Sequence, residues 1–222
     1  MGLRWLPPNE NLTPQLLEQV AQSKPANTRS RQRFVQILMH LAEFAEIDVN
    51  LNPYKGSYSC SKSQPRDIPT DPEIVVIRDS IANPQWKLVY ERMAVYGLRN
   101  HECWNCEIDP KPPHACRVLA GKTGPREGVM PLYPEWATDW KPWEGELPTV
   151  TAKDHAIFGE RTARAFKRLG IPFTPYNLRH AWNIRGSVVF KVPVAVMAQM
   201  AGHSPEVPTV YTQVLPERFS TR

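Results

Sequence analysis

The chain has 222 residues, 41% of them hydrophobic and 22% charged, and 27 Lys and Arg against 22 Asp and Glu give a net charge of +5. That length and composition exclude a disulfide-stapled miniprotein and allow one full core plus a smaller companion, with about 70% of the unfolded surface buried. The mild basicity favours a polyanionic partner without specifying a fold. Proline is the outlier, 23 residues or about twice the usual share, so it punctuates many element boundaries.

No apolar run approaches the roughly 20 residues needed to cross a bilayer; the longest, Val192–Ala198, is broken by Pro193. The first residues, Met1-Gly2-Leu3-Arg4-Trp5-Leu6, form no secretory segment, and Leu6 stands where a myristoylation signal needs Ser or Thr. The expected location is therefore the cytoplasm. There, four cysteines read as thiols or ligands rather than as bridges.

In chain order, Thr13-Pro14 predicts a capped short helix. A longer helix from about Asn27 to Ile47 carries Phe34, Ile37, Leu38, Leu41 and Phe44 as its apolar stripe. Arg29, Arg31 and Arg33 precede the stripe and either face phosphate or decorate a solvated helix end. Residues 51–70 read as a linker rich in Pro, Ser, Asn and Lys, so the expected organisation is a small helical segment over 1–50 and a larger domain over 71–222. So thin a first unit must pack on something: either the linker folds back or the unit is part of a larger helical domain.

Asp71-Pro72 and Asn83-Pro84 predict two helix starts, the second with Trp86, Val89, Tyr90, Met93 and Tyr96 on its buried face and Gly97 at its end. Cys116–Leu119 and Gly128–Leu132 flank a glycine-bearing turn and predict a hairpin. Helical patterns follow at about 152–169, 175–186, 193–201 and 205–214. The expected fold class is mainly α with a small antiparallel β-sheet.

Five cationic or hydrogen-bonding residues stand in suggestive local settings: Arg99 after Gly97-Leu98, Lys122 at the hairpin tip, Arg179 and His180 on one helix, and His203 after a glycine. Tyr211 lies eight residues beyond His203. Each alone has a bland explanation as a solvated cation or a packed ring. Their order does not, and from about Asp71 to Leu215 the chain resembles the tyrosine recombinase or phage integrase family. Tyr176-Asn177-Leu178-Arg179-His180 is similar to that family's His-x-Leu-Arg-His, and Ala201-Gly202-His203-Ser204 leads to Tyr211 as its Gly-His leads to the nucleophile. Gly97-Leu98-Arg99 with Glu102 resembles the first-arginine motif, and Gly121-Lys122-Thr123-Gly124 with Pro131-Leu132 resembles the lysine hairpin.

The resemblance implies a site-specific recombinase that cleaves and rejoins double-stranded DNA through a 3′-phosphotyrosyl intermediate. Arg99 and Arg179 would clamp the phosphate, Arg being suited by its permanent charge and two-pronged donor geometry. Tyr211 would be the nucleophile, Lys122 the general acid for the departing 5′-oxygen, and His203 a phosphate hydrogen-bond donor. Glu102 would orient Arg99. No cofactor is implied, and the partner would be duplex DNA, with four protomers assembling on two sites and a monomer in isolation. The 1–50 segment would be part of the family's DNA-clamping core-binding domain.

Tyr176 departs from the pattern, which has His three residues before the second Arg. A phenol titrates near 10, against about 6.5 for imidazole, so Tyr176 can hydrogen-bond phosphate but is a poor base at neutral pH. Either Tyr176 is a tolerated hydrogen-bonding substitute or proton removal from Tyr211 is slow and the enzyme is weakened; the alternative to the recombinase reading is a catalytically weakened or non-catalytic DNA-binding protein of the same fold, with or without a structural zinc. A competing pattern is His101, Cys103, Cys106, His114 and Cys116, where Cys103-x-x-Cys106 has zinc-ligand spacing. The favoured reading is buried thiols, because these positions fall where the family has a helix end and a hairpin strand.

Overall fold

The computed structural model describes residues 6–7, 9–58, 68–121, 123–151 and 154–202. The chain divides into two compact units, residues 1–64 and 65–222.

In the first unit, helix α1 (Pro14–Ala21) starts where Thr13 Oγ1 accepts the Leu16 N–H at 3.2 Å, and α2 (Arg29–Phe44) starts where Thr28 Oγ1 accepts the Arg31 N–H at 3.2 Å. Their shared core is Leu17, Val20 and Ala21 against Val35, Leu38 and Ala42, with Leu51 closing it. The expected stripe on α2 is therefore shifted. Leu38 is buried, but Ile37 is 48% exposed and Phe44 86% exposed, while the smaller Val35 and Ala42 take the seam. Close approach of α1 selects the ridge with small side chains, not the one with the largest. The start of the expected linker folds back onto this unit. Leu51 is fully buried, Asn52–Lys55 forms a 3₁₀ turn, and the Ser57 N–H donates to Asn27 Oδ1 at 3.0 Å.

The second unit begins with α3 (Asp71–Ser80), where the Thr70 N–H donates to Glu73 Oε2 at 2.7 Å. Helix α4 (Pro84–Tyr96) starts at Asn83, whose Oδ1 accepts the Trp86 N–H at 3.0 Å, and ends at Gly97 in the left-handed conformation. A Cβ at Gly97 would lie 2.5 Å from the Trp182 ring, so this close crossing requires glycine. Val89, Tyr90, Met93 and Tyr96 are buried as expected, and α4 is the central helix of the unit. After a 3₁₀ turn (Asn100–Trp104) come strands β1 (Cys106–Ile108), β2 (Cys116–Val118) and β3 (Arg126–Val129), antiparallel in the order β1-β2-β3.

The expected hairpin is β2–β3, but β3 begins at Arg126 rather than Gly128, and β1 extends it to three strands. Helix α5 (Pro134–Trp140), also unanticipated, packs Trp136 against Arg185 and Trp140 against Arg78. The Arg185 guanidinium pairs with Asp71 and lies over the Tyr133 and Trp136 rings at 4.7 and 4.6 Å. Helix α6 (His155–Arg168) is capped by Asp154, α7 (Pro175–Ile184) runs into a π-helical turn (Arg185–Val189), and α8 (Val194–Ala201) ends at Gly202 with φ 60°. The helix expected at 205–214 lies outside the described residues. The mainly helical class with a small antiparallel sheet is the architecture observed. Among the described residues no helix is long and apolar enough to cross a membrane.

Candidate active site

Gly97 turns the chain sharply at the end of α4, which brings Arg99 and the following 3₁₀ turn against the C-terminus of α8. The Arg99 backbone N–H donates to Glu102 Oε2 at 2.7 Å, and its Nη1 donates to Glu102 Oε1 at 2.8 Å. Its Nη2 donates to the Gly202 carbonyl at 2.8 Å. Arg179, fully buried on α7, donates from Nη1 to the Gly97 carbonyl at 2.6 Å and from Nη2 to the Ala201 carbonyl. It stands 4.0 Å from Glu102 Oε2. The structure thus brings Arg99 and Arg179 together around Glu102 and the last carbonyls of α8, and Glu102 contacts Arg99 as expected.

A third guanidinium completes the cluster. Arg126 grips Glu102 with both prongs, Nη1 to Oε1 and Nη2 to Oε2 at 2.7 Å each, and donates from Nε to the Met200 carbonyl at 2.8 Å. Burial alone would raise the Glu102 carboxyl, but the hydrogen bonds and charge of Arg126, the Arg99 N–H and the charge of Arg179 bring it down to about 2. Burial, and then the neighbouring Arg99 charge, lower Arg179 to about 10, with Glu102 opposing them; Arg179 therefore stays cationic at neutral pH. Three guanidiniums and one carboxylate leave two positive charges in a largely dry site.

Tyr176 occupies the first turn of α7, one turn before Arg179; it is 37% exposed, with its ring edge-on to His180 at 4.7 Å. Lys122, His203 and Tyr211 lie outside the described residues. Their described chain neighbours stand at the cluster. Thr123 Oγ1 donates at 3.1 Å to the same Gly202 carbonyl that receives Arg99. A Cβ at Gly202 would come within 2.9 Å of Thr123 Oγ1, and one at Gly121 within 3.0 Å of Glu102 Oε1. Glycine on either side lets the hairpin turn and the end of α8 close on the buried carboxylate.

Sequence reasoning missed two features. The first is Arg126, which lies between the hairpin turn and the expected strand and whose partners are distant in the chain. The second is a basic face on α6, where Arg161, Arg164, Lys167 and Arg168 are exposed, and Arg161, Arg164 and Arg168 follow one face at i, i+3, i+7. Arg164 pairs with Glu160, whereas Arg161, Lys167 and Arg168 have no ion pair among the described residues.

Among the described cysteines, Cys103 and Cys116 are buried and Cys106 is half-buried. Burial pushes the Cys103 thiol up. His101 packs on His155 at 4.3 Å between ring centres and His114 stacks on Trp143 at 4.7 Å. Among the described residues no three His, Cys, Asp or Glu side chains are placed to hold a metal ion.

Residues 2–55 match the family described as XisA/XisC excisase second domain. Excisase A of Nostoc sp. strain PCC 7120 is 29% identical, the match covering 78% of this chain and 43% of the relative, so the chain spans less than half of that relative's length. Among solved structures, the XerH site-specific recombinase bound to difH substrate has a TM-score of 0.55 at 12% identity, covering 90% of this chain and 67% of that one. The Tn1549 transposon integrase in complex with transposon right end DNA has a TM-score of 0.54 at 13% identity, covering 94% of this chain and 82% of that one. The chain therefore has the tyrosine recombinase fold that its motifs suggested, and its N-terminal residues match the second domain of the XisA/XisC excisases.

Proposed function

We propose that the protein is a site-specific DNA recombinase that cuts and rejoins duplex DNA in an excision reaction, through a 3′-phosphotyrosyl intermediate on Tyr211. The observation that carries this reading is the convergence of Arg99 and Arg179 on one buried carboxylate at the end of α8. In-line attack on a phosphodiester builds negative charge on the non-bridging oxygens, so the catalyst's task is to hold positive donors in place. Arg99 has five N–H donors on its side chain, of which two are engaged among the described residues, and its guanidinium reaches the protein surface. It therefore has donors left for a phosphate. Arg179 supplies the second charge, Lys122 protonates the departing 5′-oxygen, and His203 hydrogen-bonds the phosphate. The tyrosyl ester conserves the bond energy for rejoining, so neither ATP nor a cofactor is needed.

The partner is double-stranded DNA, gripped in part by the basic face of α6 and in part by the first unit, acting as a segment of the DNA clamp. Four protomers on two sites perform the exchange, and the free protein is a monomer in the bacterial or phage-infected cytoplasm. The excision direction follows the name of the relative, Excisase A. Incubation with nicked duplexes carrying candidate sites is expected to give a denaturant-resistant protein–DNA adduct that Tyr211→Phe abolishes. Retention of the adduct by Tyr211→Phe would overturn the assignment.

One residue favours a second reading, a DNA-binding protein of this fold with little catalysis: Tyr176 stands where the family has His. If Tyr176 is a working substitute, Tyr176→His changes the cleavage rate by less than about tenfold; a gain of about 100-fold, the usual contribution of a placed acid–base group, would favour the weakened enzyme.

A further inference from the structure

Arg126 lies at the start of β3, where the chain leaves the hairpin turn, and its side chain is buried. It joins three parts of the unit: its own strand, Glu102 in the 3₁₀ turn after α4, and the Met200 carbonyl in the last turn of α8. Glu102 is fully buried, and its remaining described donors are the backbone N–H and Nη1 of Arg99. The orientation of Arg99 therefore depends on a carboxylate whose own orientation is set by the two-pronged grip of Arg126.

The charges point the same way. Arg99, Arg179 and Glu102 alone would present one net positive charge, and Arg126 raises this to two. A phosphodiester carries one negative charge at rest and two in the pentacoordinate transition state, so the added charge acts on the transition state more than on bound DNA. Lysine could supply the charge but not the planar fork that holds both carboxylate oxygens and a carbonyl at once.

We propose that Arg126 is a positioning residue for strand cleavage, which fixes Glu102 so that Arg99 meets the scissile phosphate and leaves the charge of both clamping arginines uncancelled. This rests on the recombinase reading above. It differs from a packing role in one measurable way, because the requirement for Arg126 follows the charge of the phosphate.

The test compares single-turnover adduct formation on a nicked duplex whose scissile group is either the phosphodiester or a methylphosphonate, which has one negative charge fewer in both ground and transition states. Arg126→Gln is expected to slow cleavage of the phosphodiester about 100-fold, the usual effect of removing one preorganised donor, while DNA affinity changes less than about threefold. On the methylphosphonate the loss is expected to shrink to about tenfold or less, and Arg126→Lys is expected to recover part of the phosphodiester rate. Should Arg126→Gln fail to fold, Arg126→Lys, which retains the buried charge, carries the same comparison: a phosphodiester rate equal to that of the unaltered chain overturns the proposal. Equal losses on the two substrates, or a parallel loss of DNA affinity, would reduce Arg126 to a packing role and overturn it. An adduct from the unaltered chain that Arg126→Gln leaves undiminished overturns this inference alone; no adduct from the unaltered chain on either substrate overturns the function it rests on as well.

Discussion

Glu102 is the residue on which the candidate site turns, since Arg99 and Arg126 both hydrogen-bond its carboxylate and Arg179 stands 4.0 Å away. Its carboxyl is held at about 2, below its ordinary 4.5, so its contribution to folding is complete above about pH 4.5 and is lost as the pH falls towards 2. Glu102→Gln removes the buried charge that the guanidiniums of Arg99, Arg126 and Arg179 face and is expected to cost about 3 kcal/mol at pH 7. The gap to the unaltered protein should close as the pH is lowered from about 4.5 to 2 in a thermal-melting series, whereas a gap independent of pH would contradict this account. Arg99, Glu102 and Arg179 were legible in the sequence because their motifs are local, a turn after a helix-ending glycine and one face of α7. Arg126 was not, because its partners are 24 and 74 residues away in the chain. Lys122, His203 and Tyr211 rest on their motifs.

At the level of elements, α6 carries the exposed Arg161, Arg164, Lys167 and Arg168, the face proposed above to meet DNA. Duplex binding by exposed Lys and Arg releases counterions, and each neutralised phosphate contributes about 0.9 to the slope of log affinity against log salt. Combined Arg161→Gln and Arg168→Gln substitution is therefore expected to weaken DNA binding in anisotropy titrations and to reduce that slope by about 2. An unchanged slope would remove α6 from the interface. Helix starts were legible at α1, α3, α4 and α7, where a proline follows a possible cap. Thr13, Thr28, Asn83 and Asp154 each place a side-chain oxygen on the first free N–H groups, and proline stands at the first or second position of α1, α3, α4, α5 and α7. What escaped were β1 and α5. Three residues of strand carry no usable alternation, and β1 exists only because β2 pairs with it. In α5 the guanidiniums of Arg185 and Arg78 lie over the rings of Trp136 and Trp140, contacts between residues distant in the chain. On α2 the periodicity was legible but its phase was not, because the seam chosen by α1 is set by Ala42 and Val35 rather than by bulk.

Over the whole molecule, one chain holds a small helical unit and a larger one built on α4, and the sequence of the first matches an excisase domain. The class of the larger unit followed from order rather than from any single segment: four motifs in sequence gave the recombinase fold. The central claim is that this fold works here as a nuclease and ligase through one tyrosine. The measurement that tests it most directly is to trap the chain on a nicked duplex, digest protein and DNA, and locate by mass spectrometry the residue that retains a nucleotide. The account predicts a phosphate ester on Tyr211 joined to the 3′ side of the break, with a free 5′-hydroxyl on the released strand. A nucleotide on any other residue, or no nucleotide on a chain that binds the same duplex, would contradict it.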